Sequence, residues 1–424
     1  MSSTSELKSA LKGNETRTKI PTTNKKIQFR IFVGSYEHNL LCLSTIIDPL
    51  GESESIFQPI FHFQAHSLSI KSIDLAKRYL VTGSNDEHIR IYDLQKRKEL
   101  GTLLSHQGTI TTLKFSNELN ASGSVEKSGK WLLSGSEDGK IIIWRTKDWE
   151  VFGTLKGHTS KINDIAIHPS GKVAISVSQD QTIRLWNLMT AKKAAILKIK
   201  GKDHLGQSGE FVKWSNDGKY FIVGLLNQLL IYKTSSAKIV KKIKFKKTLM
   251  CMDVLKFENE NWLCSGLNNG SMEFFKFDEQ ILKDISDDED RIWNSDPVEI
   301  EPNFKLIGHT NRIKGISFFQ NDEETQGIPT LVSISSDGKV VVWNLNLKDQ
   351  IAVYDTGERL NCVITSSENI EKIDTMKKRI LDERQDYSES EYETDGEEIK
   401  KIMNKSKKKK GKKNKKRKVN ITLE

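Results

Sequence analysis

The sequence predicts an all-β fold built from an internal repeat, and three features of its 424 residues carry that expectation. The first is a unit that keeps returning: a His, a strand-like run, a Ser/Thr-Gly-Ser-like step, an Asp in a turn, and an aromatic residue six positions after the Asp. It occurs as His66, Asp86 and Tyr92; as His106, Asp138 and Trp144; as His158, Asp180 and Trp186; and as His309, Asp337 and Trp343. The second is period-two alternation in runs such as Ile89-Arg90-Ile91-Tyr92 and Ile183-Arg184-Leu185-Trp186, bounded by Asn, Asp or Gly turns, which marks strands. The third is composition: the chain has seven prolines, and Val, Ile, Leu and Phe are abundant up to about residue 365, so this part can bury a core.

The Asp-to-aromatic spacing is constant, whereas the His-to-Asp distance runs from 20 to 32 residues, so length variation falls between the first two strands of each unit. Gly157-His158 through Trp186-Asn187 and Gly308-His309 through Trp343-Asn344 resemble WD40 repeats, which implies four strands to a propeller blade. Two further units are degenerate. One runs from about 193 to 233 and keeps Phe211-Val212-Lys213-Trp214, Asn216-Asp217-Gly218-Lys219 and Ile231-Tyr232; the next, 239–277, ends in Phe274-Phe275. Neither keeps both the Asp and the Trp, so packing is expected to replace their polar networks.

With these, six units are complete and a seventh is split. Residues 29–46 carry two strands around Ser35-Tyr36-Glu37-His38, and 350–364 are expected to supply the strands that this blade lacks. The expectation is therefore a seven-bladed propeller over 29–364, preceded by a disordered segment 1–28 and followed by 365–399 and a lysine-rich tail, 400–424. Insertions at 117–129, 320–329 and 278–303 should all project from the face opposite the His and Asp turns. The last carries Ser286-Asp287-Asp288-Glu289-Asp290 and Trp293 and reads as an acidic loop.

After residue 366 the pattern changes. Ile370, Ile373, Met376, Ile380 and Leu381 fall at near-helical spacing, as in a short amphipathic helix that docks on a partner or caps the propeller. Ser388, Ser390 and Thr394 in the acidic stretch 386–398, like Ser286, have an acidic residue three positions on and are candidate sites for an acidophilic kinase. The cluster Lys405, Lys407, Lys408, Lys409, Lys410, Lys412, Lys413, Lys415, Lys416, Arg417 and Lys418 reads as a nuclear or nucleolar signal, as an RNA arm, or as both. Its self-repulsion keeps it disordered when free. Of the 66 Lys+Arg and 56 Asp+Glu, 13 and one respectively lie in 400–424, so a formal charge of +10 divides into a tail and a body of −2.

Several classes are excluded. Cys42, Cys251, Cys264 and Cys362 form no CxxC pair, so a disulfide framework and a cysteine zinc site are not expected, and a reducing compartment is. The first 26 residues are polar, which argues against a secretory signal, and no run reaches the roughly 18 apolar residues of a membrane span. The expectation is a soluble intracellular protein. No phosphate-binding loop, dinucleotide fingerprint, zincin or nucleophile-elbow motif stands in a suitable context, and the nine histidines show no metal-ligand pairing. No catalytic residue, metal or cofactor is expected, and the protein reads as a non-enzyme.

The recurrence of His, Ser and Asp invites a hydrolase triad, but the same set returns in several blades. The resemblance to WD40 repeats implies instead that His66, Thr82, Asp86 and Tyr92, and likewise His106, Ser134, Asp138 and Trp144, form a hydrogen-bonded network inside their blades. The same holds for His158, Ser176, Asp180 and Trp186, and for His309, Ser333, Asp337 and Trp343. Which of the two hydroxyls in steps such as Thr82-Gly83-Ser84 takes part stays open.

Function is then expected on the faces of the disc. Asn85, Glu137, Lys161, Gln179, Arg312 and Ser336, in or beside the His-side turns, are candidate partner-binding residues. A basic run, Lys198, Lys200, Lys202, Lys238, Lys241, Lys242, Lys244, Lys246 and Lys247, is a candidate for RNA contact.

A finer likeness rests on Gly34-Ser35-Tyr36-Glu37, Phe63-Gln64-Ala65-His66, Asn85-Asp86-Glu87-His88-Ile89-Arg90-Ile91-Tyr92-Asp93, His106-Gln107-Gly108-Thr109-Ile110-Thr111 and His168-Pro169-Ser170-Gly171-Lys172. Together with Tyr92 in the place of a Trp and the Asn-ended Trp186-Asn187, these resemble the maintenance-of-killer / p21-activated-kinase-interacting WD-repeat family. The resemblance implies a nucleolar factor, a scaffold on pre-ribosomal particles that mature the large (60S) subunit. Its implied partners are pre-60S assembly factors, ribosomal proteins and, through the tail, pre-rRNA, with no membrane. In animal members it implies negative regulation of a p21-activated kinase, and the alternative function is an adaptor that binds such a kinase.

Overall fold

The computed structural model describes residues 26–48, 54–119, 125–199, 206–283, 296–320, 325 and 327–370, with the side chains of 119, 125, 126 and 369 left aside. The described residues fall within one unit, Met1–Ile370. The amphipathic pattern beyond Ile370, Trp293, the candidate phosphosites Ser286, Ser388, Ser390 and Thr394, and the lysine cluster from Lys405 to Lys418 lie outside them.

Seven antiparallel sheets succeed one another along the chain. The second blade is β4 (Ile70–Ala76), β5 (Tyr79–Ser84), β6 (Ile89–Asp93) and β7 (Lys98–Leu103); the third is β8 (Ile110–Leu119), β9 (Val125–Ser136), β10 (Ile141–Arg145) and β11 (Glu150–Leu155). The fourth is β12 (Ile162–Ile167), β13 (Val173–Ser178), β14 (Thr182–Asn187) and β15 (Lys192–Lys198). The degenerate units form the fifth, β16 (Phe211–Trp214), β17 (Tyr220–Gly224), β18 (Gln228–Lys233) and β19 (Lys238–Lys244), and most of the sixth, β20 (Leu249–Phe257), β21 (Glu260–Leu267) and β22 (Ser271–Lys276). Within the insertion 278–303, β23 (Val298–Glu299) pairs parallel to β19 as a fifth strand of the fifth blade, and just beyond the insertion β24 (Phe304–Ile307) completes the sixth blade. The seventh is β25 (Ile313–Phe319), β26 (Thr330–Ser335), β27 (Lys339–Asn344) and β28 (Asp349–Asp355).

The first blade corrects the expected closure. It consists of β1 (Ile27–Ser35), β2 (Asn39–Ile47) and β3 (Ile56–Gln64), completed by β29 (Leu360–Ser367) alone. Residues 350–354 do not join it; they lie in β28, paired with β27 as Val341↔Val353. The N-terminal segment thus supplies three strands where two were expected. The outer one, β3, is mostly exposed and contains Pro59, a residue that only an edge strand accommodates readily, so its sequence carries no strong strand signature.

Ring closure is a packing fact. Seven apolar clusters fill the seven gaps between neighbouring blades, among them Ile31, Val33 and Leu43 against Val332, Ile334 and Val342, which join the first blade to the seventh. No blade buries both faces alone, so the ring is the unit of stability. β29 adds register-specific pairing with β1, such as Val33↔Val363. Just beyond it, Glu368 meets the buried Arg30 guanidinium at 2.8 Å.

In the degenerate blades aromatic contacts stand where the polar network would be. Phe221 and Tyr232 stack at 4.8 Å in the fifth, and Phe274 and Phe304 at 4.4 Å in the sixth. The insertion after Asn117 prolongs a hairpin, with Asn117↔Lys127 and Leu119↔Val125 in register, where a loop was expected.

Candidate protein-interaction face

The residues shared by the repeats build the edge of one face. In the fourth blade Trp186 Nε1 donates to Ser176 Oγ at 2.8 Å, and Ser176 Oγ lies 2.8 Å from His158 Nε2. His158 Nδ1 lies 2.9 Å from Asp180 Oδ2. Only one proton assignment satisfies every member: the serine accepts from tryptophan and donates to Nε2, and the Nδ1–H donates to the carboxylate. Asp180 also accepts the Thr182 hydroxyl at 2.6 Å and the backbone N–H groups of Thr159 and Thr182 at 3.1 and 3.0 Å. It therefore ties the turn between β13 and β14 to the loop that enters β12.

Electrostatics follow from the geometry. Burial would raise the Asp180 carboxyl, but hydrogen bonds from Thr182 and His158 outweigh it and bring its pKa to about 2. Burial holds His158 below its ordinary value in spite of Asp180, as it does His66, His106 and His309 beside their own carboxylates. Neutral imidazole is the form that the network requires.

The same chain of bonds recurs in the third blade, with His106, Asp138, Ser134 and Trp144, and in the seventh, with His309, Asp337, Ser333 and Trp343. In the second blade His66 reaches Asp86 at 2.9 Å and Thr82 at 2.8 Å, but the Tyr92 hydroxyl is buried without a hydrogen-bond partner. The structure also settles which hydroxyl takes part: Thr82 joins the network, while Ser84 donates to the Leu68 carbonyl at 2.9 Å. These sets hold the loops.

The six candidate partner residues are placed on those loops, Asn85, Glu137, Gln179 and Ser336 at one equivalent rim position and Lys161 and Arg312 at another. Asn85 donates to Ser69 Oγ at 2.8 Å, Glu137 and Lys161 form an ion pair at 3.2 Å across two blades, and Arg312 Nε donates to Ser336 Oγ at 3.2 Å. Gln179 is exposed, its backbone N–H bonded to the Lys161 carbonyl. Within the basic run the described lysines have different surroundings. Lys241 Nζ caps the carbonyls of Gln280 and Lys283, Lys242 is 2% exposed, Lys246 faces Glu299 at 3.9 Å, and Lys200 and Lys202 lie outside the described residues.

Sequence reasoning missed the polar side chains on the inner strands, which stitch neighbouring blades. Asp74 Oδ2 accepts the Phe115 N–H, Asp164 Oδ2 accepts the Val212 N–H at 3.1 Å, and Lys213 reaches Asp253 at 2.9 Å. Thr365 N–H donates to Ser317 Oγ at 3.0 Å across the closure. A polar residue inside an otherwise apolar inner strand was the available signal. Among the described residues no cluster of His, Cys, Asp or Glu is arranged to hold a metal, and no helix is long and apolar enough to cross a membrane.

Fold and face define a WD40 β-propeller, and residues 57–93, 97–145, 149–187 and 300–344 match the family model "WD domain, G-beta repeat". The chain is 51% identical over 397 residues to Protein MAK11 of Saccharomyces cerevisiae, covering 91% of this chain and 94% of that one. It is 35% identical over 312 residues to the p21-activated protein kinase-interacting protein 1-like of Gallus gallus, covering 72% of each. With p21-activated protein kinase-interacting protein 1 of Homo sapiens the identity is 31% over 341 residues, covering 78% and 76%. The chain belongs to the WD40-repeat family that includes these proteins.

Proposed function

We propose that this protein is a non-catalytic scaffold of ribosome biogenesis that works in the nucleus and nucleolus, on pre-ribosomal particles in which the large (60S) subunit and its rRNA mature. The division of charge carries the reading. A ring that is close to neutral suits contacts with assembly factors and ribosomal proteins, while 13 basic residues in 400–424 suit an RNA-rich surrounding and a nuclear address. Likeness to Protein MAK11 over nearly the full length of both chains supports the same family resemblance that the quoted motifs carry.

A second reading, an adaptor that binds and negatively regulates a p21-activated protein kinase, is favoured by one observation: the vertebrate relatives are named for interaction with such a kinase. Purification of the tagged protein from cells separates the two. Co-elution of large-subunit precursor rRNA is the expected result; co-elution of a kinase without rRNA overturns the assembly reading. A reporter fused to residues 400–424 should concentrate in the nucleus, and a diffuse cytoplasmic signal counts against the proposal.

A further inference from the structure

On the rim where the His and Asp turns lie, each blade offers two inner positions. One is the residue whose carbonyl receives the turn's backbone N–H, and the other lies two places further along. From the seventh blade through the first to the second these are Arg312 and Lys314, Arg359 and Asn361, and Ser69 and Lys71. They are placed by the N–H···O bonds Ser336 to Arg312 at 3.2 Å, Tyr36 to Arg359 at 2.7 Å and Asn85 to Ser69 at 3.1 Å. Four of the six are cations.

Arg312, Arg359 and Lys71 are exposed and Lys314 is half-buried. Among the described residues, the one hydrogen bond or ion pair made by any of these four side chains is that of Arg312 to Ser336 Oγ. The turn residues facing them, Ser336, Tyr36 and Asn85, include no carboxylate. Between the third and fourth blades, by contrast, the rim cation Lys161 is paired with Glu137 at 3.2 Å. Burial, together with the charges of Arg312 and Lys71, pushes Lys314 below the ordinary lysine value, as expected for cations gathered without a counterion. Beside them Tyr36 and Leu68 are 52% and 47% exposed.

The carboxylates of the sector set the shape of the occupant. Glu358 is held by Asn39 and His62 at 2.8 and 3.0 Å, while Glu37 and Glu87 are exposed in the turns themselves. A continuous polyanion laid across the sector meets Glu37 and Glu87. Separate carboxylates on an extended chain can reach the inner cations between them. We propose that the rim over the seventh, first and second blades binds an acidic peptide segment of a partner protein, its carboxylates on Arg312, Lys314, Lys71 and Arg359 and an apolar side chain on Tyr36 and Leu68. The proposal deepens the scaffold reading and rests on it for the choice of face.

The test replaces Tyr36 in the full-length chain with the photo-cross-linker p-benzoylphenylalanine in cells and maps the cross-linked segment by mass spectrometry. The expected segment carries at least two Asp or Glu beside an apolar residue. As a synthetic peptide it should bind the purified chain, and Lys71→Glu with Lys314→Glu should weaken it about 10-fold or more, while Lys147→Glu, in the exposed turn between β10 and β11, leaves it unchanged. Thermal unfolding checks that the double variant is folded, and addition of salt should reproduce the loss. A neutral or basic segment, cross-linking to RNA, or affinity indifferent to the charge reversal overturns the acidic-peptide proposal and leaves the scaffold reading standing. Absence of any cross-link at Tyr36, with efficient cross-linking on the opposite face, overturns the choice of face itself.

Discussion

Replacing Ser176 by alanine removes one oxygen and strands two buried groups. The hydroxyl sits 2.8 Å from both Trp186 Nε1 and His158 Nε2, and Ser176 is wholly buried. A buried donor and a buried acceptor left without partners cost about 1–3 kcal/mol each, and local relaxation recovers part of it, so a loss of about 2–4 kcal/mol is expected. For a ring of about 340 residues, the usual unfolding entropy per residue gives roughly 0.7 kcal/mol per degree, so the melting temperature should fall by about 3–6 °C.

The second blade supplies the control. There Thr82 bonds His66 at 2.8 Å but the Tyr92 hydroxyl has no partner, so Thr82→Val breaks one bond where Ser176→Ala breaks two. Its cost should be about half. Differential scanning calorimetry on the purified full chain, with urea unfolding followed by Trp fluorescence and circular dichroism, measures both. Equal losses from the two variants would refute the count of one bond against two. A folded Ser176→Ala or Asp180→Ala protein of unchanged stability that had lost partner binding would refute the structural role altogether.

Other outcomes follow from the same geometry. The pKa values of His66, His106, His158 and His309 are lowered on folding, so the unfolded chain binds more protons once the pH falls below about 6.5, and stability should drop from there downward. Asp180 acts in the same direction: its pKa falls from 3.8 to about 2, so the stability it adds above 3.8 disappears as the pH descends through that interval. Melting temperatures between pH 8 and 5 should show the first phase, and His158→Asn should make it shallower. Glu368→Ala removes the 2.8 Å ion pair to the Arg30 guanidinium, which is 1% exposed, and should cost about 2 kcal/mol by urea titration. Gly171 has a φ of +70°, and a Cβ there would lie 2.2 Å from the Asn117 carbonyl oxygen of the neighbouring blade; Gly171→Ala should cost at least about 1 kcal/mol. Deleting residues 400–424 should leave the melting temperature unchanged and flatten the dependence of RNA affinity on salt.

The four strict repeats were legible because their markers are coupled by contact. Asp180 precedes β14 and Trp186 lies near its end, and the strand's length cannot change while the two engage His158 and Ser176, so their spacing is fixed. The degenerate blades were legible only as strand rhythm, since stacking of Phe221 on Tyr232 leaves no spacing rule. The closure was half legible. Residues 29–46 stood out as buried strands, but Ile56–Gln64 has one strand neighbour and an exposed pattern, and the sequence offers nothing there to separate an edge strand from a loop. The rim candidates could be located from the repeat, but the succession of Arg312, Lys314, Arg359 and Lys71 along one sector emerges only when the first blade is set between the seventh and the second.

That the last strand of the ring is also among the last made has a bearing on synthesis. Until Leu360–Ser367 has left the ribosome, β1 has one strand neighbour, and the buried faces of the first and seventh blades have no stable ring to hold them together. Nearly every residue of the propeller must therefore be translated before any of it is finished, and a chain cut short even at 355 retains an unpaired, apolar strand edge. Such products should be recognisable to quality control by that edge. The basic tail, which follows residue 367, emerges only when the disc that carries it can close.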